Sequence, residues 1–210
     1  GTSVPTSNVL MTIENTDTEV PWLVNYLETL LVQVWYPTTV CTQSREMKKA
    51  IKYTMEQTGA DMAGLPFKLH DFGYRGSTSV ESAGIGGCAH LVNFMGTDTM
   101  AALEVARNYY KEPMAGFSVP AAEHSTITEW GEVNEYEAYK NMLEQYPKVL
   151  VAVVSDSYDI FNAVQNIWGD DLKAEVLARD GTVVIRPDSG PPVQTILQLL
   201  EILAEKFGTT

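Results

Sequence analysis

Histidine, carboxylate and arginine side chains follow short apolar runs at several places along this chain. In the stretch FSVPAAEHSTITEWG, Glu123 and His124 stand side by side directly after such a run. Because an imidazole titrates near neutral pH, it can move a proton or accept a phosphoryl group once a carboxylate fixes its tautomer. Glu123 or Asp159 is the candidate carboxylate, and Ser125 or Thr126 is predicted to cap the helix that follows. A capping loop whose histidine only satisfies a backbone carbonyl is the alternative.

An apolar run followed by polar side chains and then by a helical pattern occurs five times in succession. The polar clusters are His70, Asp71 and Arg75; Asp98; Glu123 and His124; Asp156 and Asp159; and Arg186 and Asp188. The pattern predicts an α/β fold of successive parallel strand–helix units. Ligands bind at the carboxyl ends of such strands, both in barrels and in open sheets, so we expect the clusters to form one composite site. The periodicity does not distinguish a barrel from an open sheet.

The elements divide the chain into an N-terminal segment, residues 1–66, and five strand–helix units in residues 67–210. The N-terminal segment is predicted to contain a strand at 9–13 and two helices, at 21–37 and 44–57, that pack on the units. The five strands are predicted at residues 67–70, 91–95, 115–119, 149–154 and 182–185. The first strand is followed by a helix at 79–90, and the last by a helix that begins at Pro191 and ends near Phe207. No second complete domain is predicted.

Composition excludes several classes of partner. A formal net charge of −13 in 210 residues argues against a nucleic-acid groove, since phosphate neutralisation needs a basic surface. No stretch has the length and apolar character of a membrane span, and we expect no membrane partner. Cys41 and Cys88 have no metal-binding spacing and are too few for a disulfide framework, which favours a reducing, cytoplasmic environment.

Familiar phosphate-binding and metal-binding motifs are absent from the sequence. There is no P-loop, no strand followed directly by GxGxxG and no HExxH. The glycine-rich run at residues 84–87 lies inside a predicted helix, so close helix packing is expected there rather than a phosphate cradle.

Seven segments resemble the nicotinamide phosphoribosyltransferases, which are type II phosphoribosyltransferases. The segments are ENTD (14–17), LVQVWYP (31–37), HDFGYRG (70–76), GTD (96–98), SVPAAEHSTITEW (118–130), VSDSYD (154–159) and IRPDSG (185–190). The resemblance implies an irregular TIM-like α/β barrel, of which this chain would be the central, incomplete part. It also implies that nicotinamide and phosphoribosyl pyrophosphate are converted to nicotinamide mononucleotide and pyrophosphate, in NAD salvage. Mg²⁺, ATP as a coupled phosphoryl donor and a homodimer in the complete enzyme are implied as well.

The resemblance assigns substrate contacts to four residues. Phe72 matches the aromatic side chain that stacks on the pyridine ring, and Asp98 matches the carboxylate that accepts a hydrogen bond from the carboxamide. Ser118 is a further substrate-binding residue, and Asp188 matches the residue that holds the ribose hydroxyls. The alternatives from the sequence alone are a core aromatic for Phe72 and a helix cap for Asp98.

The remaining matched residues concern phosphate groups and the metal. His124 matches the phosphorylated histidine, with Glu123 and Asp159 beside it as catalytic residues, and it also contributes to diphosphate binding. Arg75 and Arg186 match diphosphate-binding arginines, with a structural salt bridge as the alternative. Asp156 and Asp159 are candidate Mg²⁺ ligands that act through water.

Three functions fit these observations. The first is a catalytic segment of a nicotinamide phosphoribosyltransferase. The second is a nicotinate or other pyridine phosphoribosyltransferase, which Asp98 disfavours because two carboxylates would meet. The third is a folded fragment that binds ligand or self-associates without turnover, and little activity is expected from the isolated chain.

Overall fold

The computed structural model describes residues 2–208, and the chain divides into two compact units, Gly1–Ser118 and Val119–Thr210. Each unit combines helices with short parallel strands, so the chain has a mixed helix and sheet fold. None of the helices in residues 2–208 is long and apolar enough to span a membrane.

The helices and strands are numbered in chain order. The α-helices are α1 (Leu23–Val32), α2 (Trp35–Thr58), α3 (Val80–Leu91), α4 (Met100–Tyr110), α5 (His124–Thr128), α6 (Glu135–Gln145), α7 (Ile160–Asn162), α8 (Lys173–Ala178) and α9 (Pro192–Phe207). The strands are β1 (His70–Asp71), β2 (Gly96–Thr97), β3 (Val151–Val154) and β4 (Val183–Arg186). Three 3₁₀ helices (Met62–Phe67, Gly73–Gly76 and Glu132–Asn134) and a π-helix (Ala163–Asp171) connect them.

The first unit builds its sheet edge from three short extended segments. β1 and β2 are parallel, with His70 opposite Gly96 and Asp71 opposite Thr97. Phe117 forms a parallel bridge with Gly96, and its carbonyl accepts a hydrogen bond from the amide of Thr97 at 3.0 Å. Because all three segments run in one direction, the residues that follow them leave the sheet at the same edge.

The helices of the first unit pack closely through the glycine-rich run. α3 packs against α2 and α4, and a Cβ atom on Gly84 would lie 2.9 Å from the Val105 side chain. A Cβ atom on Gly87 would lie 2.8 Å from that of Ala102. The run therefore permits close helix packing, as predicted, and it lies inside α3 rather than at a helix start. His90 of α3 is buried between Ser44 Oγ and the carbonyl of Gly96, and burial lowers its pKa.

The second unit is organised around β3. β3 and β4 pair in parallel from Val151 opposite Val183 to Val154 opposite Arg186, and Ala121 bridges Ala152 on the other side of β3. The valines of β3 are fully buried, as the uninterrupted apolar run predicts for a strand covered on both faces.

Aromatic side chains complete the core of the second unit. Tyr139 of α6 stacks on Trp168 of the π-helix, with ring centroids 4.9 Å apart. The Trp168 indole donates to Ser155 Oγ at 3.0 Å, directly behind the carboxyl end of β3. The polar residues that follow β3 are therefore anchored in a rigid core.

The N-terminal region differs from its prediction. Residues 8–17 form no regular secondary structure, so the strand predicted at 9–13 is wrong. Val9 is 76% exposed, and an apolar alternation without a partner strand gains little from burial. The predicted break between the two helices is also misplaced. It falls between Val32 and Trp35, and Pro37 lies in the first turn of α2, where its missing N–H costs no hydrogen bond.

The first three predicted strands are displaced. Residues 67–70 lie largely before β1, and the helix predicted to end at His90 continues to Leu91, so that β2 begins only at Gly96. The third run, 115–119, is not a buried strand: it forms a bridge at Phe117, which is 44% exposed, while Gly116 is buried. Since side chains alternate across an extended segment, the small Gly116 and not Phe117 faces the packed side.

Candidate functional site

In the first unit, the Asp98 carboxylate is held by two donors at the carboxyl end of β2. Asp98 Oδ1 accepts a hydrogen bond from His70 Nε2 at 2.9 Å and another from the hydroxyl of Ser118. His70 comes from β1, and Ser118 follows the bridge at Phe117, so three neighbouring extended segments supply the three side chains. Thr99, not Asp98, is the N-cap residue of α4, and it makes no side-chain cap. The geometry therefore favours a carboxylate positioned for a ligand over a helix cap.

Phe72 lies on the loop after β1, close to the His70 ring. Its ring stands against the His70 imidazole, with centroids 4.6 Å apart and planes at 35°. Phe72 is 51% exposed, so it is not a core aromatic. Arg75 is exposed on the 3₁₀ helix that follows, a turn fixed by a hydrogen bond from the Gly73 amide to Asp71 Oδ1 at 2.7 Å.

In the second unit, His124 is the first residue of α5 and stands among three carboxylates. Its Nε2 lies 3.0 Å from Asp156 Oδ1 and 4.0 Å from Asp188 Oδ2, and its Nδ1 lies 3.5 Å from Glu123 Oε1. Glu123 is the N-cap residue of α5, where its amide donates to Thr126 Oγ1 at 3.1 Å. The predicted cap at Ser125 or Thr126 is therefore wrong by two or three positions.

Asp156 connects three parts of the second unit. Besides facing His124, it accepts hydrogen bonds through Oδ2 from the Asp188 amide at 2.9 Å and from Ser189 Oγ at 2.6 Å. Burial acts to raise the pKa of Asp156, but the hydrogen bonds from Ser189, His124 and the Asp188 amide outweigh it and hold the pKa below its ordinary value. An ionised Asp156 can only accept, so Nε2 of a neutral His124 carries the proton and Nδ1 keeps a lone pair.

The pairing of His124 with Asp156 was not predicted from the sequence. Glu123 and Asp159 were the predicted carboxylates for His124, and Asp156 was predicted only as a metal ligand. Asp159 caps α7 instead, where its Oδ1 accepts from the amides of Phe161 at 2.9 Å and Asn162 at 3.1 Å. The one signal in the sequence was the position of Asp156, directly after a buried strand.

Asp156 and Asp159 were predicted to bind Mg²⁺ through water rather than directly. In residues 2–208, no group of three or more His, Cys, Asp or Glu side chains is placed to hold a metal ion. The hydrogen bonds that Asp156 and Asp159 accept come from protein donors. Binding of Mg²⁺ by Asp156 and Asp159 through water stays a prediction.

Arg186 and Asp188 leave the carboxyl end of β4 beside this cluster. Arg186 is half-buried, and its Nη2 donates to the Ala122 carbonyl at 3.1 Å, which fixes the guanidinium near the turn that leads to His124. The Asp188 side chain is 54% exposed while its amide is held by Asp156. A fixed guanidinium suits a phosphate group, and an exposed carboxylate suits hydroxyl groups.

Comparison with known proteins identifies similar chains. The model of the nicotinate phosphoribosyltransferase (NAPRTase) family matches residues 67–210. A nicotinamide phosphoribosyltransferase of Xanthomonas campestris pv. campestris is 56% identical over 211 residues, which cover 99% of this chain and 45% of the relative. Proteins of the same name from Acinetobacter baylyi and Mycoplasma pneumoniae are 36% and 33% identical, over 89% and 96% of this chain and 39% and 46% of their own lengths. The chain thus spans less than half the length of these curated relatives.

Proposed function

We propose that this chain, which belongs to the nicotinate phosphoribosyltransferase family, is part of an enzyme that transfers a phosphoribosyl group to nicotinamide. In this reaction the pyridine nitrogen forms a bond to the anomeric carbon of phosphoribosyl pyrophosphate, the bond from that carbon to the diphosphate oxygen breaks, and pyrophosphate leaves. The observation that carries the proposal is the Asp98 carboxylate, oriented by His70 and Ser118, with the exposed Phe72 ring against the same His70. The relatives named for nicotinamide support the same substrate.

The choice between amide and acid follows from the charge on Asp98. Nicotinamide offers an NH₂ group that an ionised carboxylate accepts from, whereas nicotinate brings a second negative charge. Like-charge contact and a lost hydrogen bond together cost several kcal/mol in a partly desolvated site, and each 1.4 kcal/mol is about tenfold in affinity. Nicotinate is the second candidate substrate, because the matched family is named for it.

The charge and position of three side chains suggest which of them contact the diphosphate and the ribose. Arg75 and Arg186 bind the diphosphate, whose departure needs positive charge nearby, and Asp188 accepts hydrogen bonds from the ribose hydroxyls. Asp156 and Asp159 would hold Mg²⁺ near the diphosphate through bound water. When present, the metal neutralises the charge of the leaving group.

His124 is the proposed acceptor of a phosphoryl group from ATP. The Nε2–H tautomer leaves a lone pair on Nδ1, and three nearby carboxylates favour the positive charge that develops on the imidazole during transfer. The γ-phosphoryl bond of ATP breaks as the bond to nitrogen forms, and ADP is released. Hydrolysis of the phosphohistidine can then be coupled to synthesis.

The complete protein is proposed to form the irregular TIM-like barrel of type II phosphoribosyltransferases and to act as a cytoplasmic homodimer. The parallel pairing in each unit supports the barrel. The cytoplasmic location is proposed from the small number of cysteines, two in 210 residues. The proposed activity is that of the protein at its natural length.

Substitution of Asp98 tests the proposed function. Asp98→Asn keeps an acceptor for His70 and Ser118 but removes the charge, so nicotinate becomes a usable substrate and the ratio of kcat/KM for nicotinamide over nicotinate falls at least about tenfold. The measurement is nucleotide formation from each pyridine with phosphoribosyl pyrophosphate, in the protein that carries this chain at its natural length. Asp180→Asn, at an exposed aspartate of the second unit, is the matched control. An unchanged ratio in Asp98→Asn, or no product from nicotinamide in the unaltered protein, would contradict the proposal.

A further inference from the structure

The His70 imidazole contacts both proposed pyridine-binding groups of the first unit, Asp98 and Phe72. On one side its Nε2 lies 2.9 Å from Asp98 Oδ1, and on another its ring lies 4.6 Å from the Phe72 ring. We infer that His70 is a positioning residue that determines pyridine specificity. Its Nε2–H orients the Asp98 carboxylate, which accepts from the amide, and its ring supports the Phe72 ring. This inference rests on the proposed function of the same site.

The ring is confined on a third side by the opposite strand. His70 stands directly opposite Gly96 in the β1–β2 register, and a Cβ atom on Gly96 would lie only 2.7 Å from His70 Nδ1. Any side chain at position 96 therefore forces the imidazole to move. The histidine side chain is 23% exposed, less than that of Asp98 at 39%. These contacts leave the ring little rotational freedom.

The hydrogen-bond pattern determines which oxygen of Asp98 can meet a ligand. An ionised carboxylate only accepts, so His70 Nε2 carries the proton in this bond. The Ser118 hydroxyl donates to the same oxygen, Oδ1. The His70 and Ser118 donors thus engage Oδ1, so Oδ2 is the oxygen expected to accept from an incoming NH₂ group. Two bonds on one oxygen also fix the plane of the carboxylate, which a single bond would not do.

The donor and the ring of His70 make separable contributions. Loss of the donor lets Asp98 rotate, so the amide loses its oriented partner while nicotinate is no longer met by a fixed negative charge. Loss of the ring frees Phe72, which weakens stacking on either pyridine alike. The donor is therefore expected to control the preference between amide and acid, and the ring to control affinity for both.

Two substitutions separate these contributions. His70→Gln retains an N–H donor and loses the ring, whereas His70→Phe retains an aromatic ring and loses the donor. In His70→Phe we expect the nicotinamide-to-nicotinate ratio of kcat/KM to fall about tenfold or more. In His70→Gln we expect that ratio to stay within about threefold of the parent while KM for both pyridines rises together. Equal effects of the two variants on the ratio, or an unchanged ratio in His70→Phe, would overturn the inference.

Gly96→Ala and a spectroscopic measurement test the inference independently of the His70 substitutions. Gly96→Ala displaces the ring without changing His70 and should lower the ratio in the same direction as His70→Phe, while Gly76→Ala, where a Cβ atom would meet open space, should not. The chain has three histidines, so imidazole ¹⁵N spectra can resolve each of them. We expect His70 as the Nε2–H tautomer, with its signals shifted in Asp98→Asn. An Nδ1–H tautomer, or signals insensitive to Asp98→Asn, would overturn the inference.

The spectra also distinguish failure of the inference from failure of the proposed function. If the unaltered protein turns over neither pyridine, the proposed function fails. The spectra then decide whether His70 holds Asp98. If the unaltered protein is active but the nicotinamide-to-nicotinate ratio of kcat/KM does not depend on a donor at position 70, the inference fails and the proposed function stands.

Discussion

Within residues 2–208, each unit contains a histidine–aspartate pair at the carboxyl end of its parallel strands. The two pairs differ in which member is more exposed to solvent. In the first unit, His70 and Asp98 are joined at 2.9 Å, with side chains 23% and 39% exposed. In the second unit, His124 and Asp156 are joined at 3.0 Å, with side chains 36% and 3% exposed. The more accessible partner is thus the aspartate in one unit and the histidine in the other.

From this difference we infer that the more exposed member of each pair can meet a ligand and that the more buried member positions it. A buried, fully bonded side chain is fixed by its surroundings, whereas an exposed one can be reached. Asp156 is fixed by His124, the Asp188 amide and Ser189, so it orients His124. His70 is confined by Phe72 and Gly96, so it orients Asp98. The same two residue types therefore serve a proposed acceptor of amide protons in one unit and a proposed acceptor of phosphate in the other.

The sharpest test of this reversal is phosphoryl labelling from ATP. We expect an acid-labile label from γ-phosphate-labelled ATP on the protein that carries this chain, and its complete loss in His124→Ala. His70→Ala should keep the label, because His70 positions a carboxylate and is not the exposed member of its pair. The measurement is label retained after base and lost after mild acid. Equal labelling of the parent and His124→Ala would contradict the proposal that His124 accepts the phosphoryl group.

The next largest effect is expected on stability. Asp156→Ala removes a buried acceptor shared by three donors, and leaving such donors without a partner costs about 1–3 kcal/mol of unfolding free energy. Asp98→Ala should cost no more than about 1 kcal/mol, since its carboxylate is partly exposed to solvent. Urea denaturation of both variants and the parent measures the difference, with Asp180→Asn as the exposed control. Similar losses at the two positions would mean that burial does not distinguish the pairs.

Arginine substitutions compare one proposed phosphate-binding residue from each unit. Arg75→Ala and Arg186→Ala should each weaken pyrophosphate binding about tenfold or more, since a charged hydrogen bond contributes about 1.5–3 kcal/mol, and should leave nicotinamide binding nearly unchanged. Arg186→Ala should also lower stability slightly, because it removes the bond to the Ala122 carbonyl. Calorimetry with each ligand makes the measurement. Unchanged pyrophosphate affinity in both variants would return the arginines to structural roles.

The smallest expected effect is the pH dependence of stability. The pKa of Asp156 is lowered in the folded protein, so its contribution is fully present above the unfolded value of about 3.9 and is lost as pH falls through the folded value. The difference in Tm between the parent and Asp156→Asn should therefore narrow as pH is lowered through this range. Burial raises the pKa of Glu135, so its effect has the opposite sign: the parent gains stability relative to Glu135→Gln as pH falls. A constant Tm difference for Asp156→Asn would argue against an ionised, networked Asp156.

Elements with strong local signals were predicted closely from the sequence. The apolar run at 149–154 contains β3, the helix predicted at 79–90 is α3, and α9 begins directly after Pro191 and ends at Phe207. β1 and β2 were misplaced because each contains two residues, which is too short for any period to show. Such strands exist only because neighbouring segments supply their hydrogen bonds.

The sequence by itself determined the residue types of the candidate site and their places after the apolar runs, and it carried the family motifs. Only the tertiary structure decided the partners. His124 and Asp156 are 32 positions apart, and His70 and Asp98 are 28 apart. Glu123 and Asp159 were equally plausible partners for His124 along the chain. Parallel pairing brings separate strand ends to one edge, and burial then selects which carboxylate is fixed, so the choice depends on three-dimensional placement that no local pattern encodes.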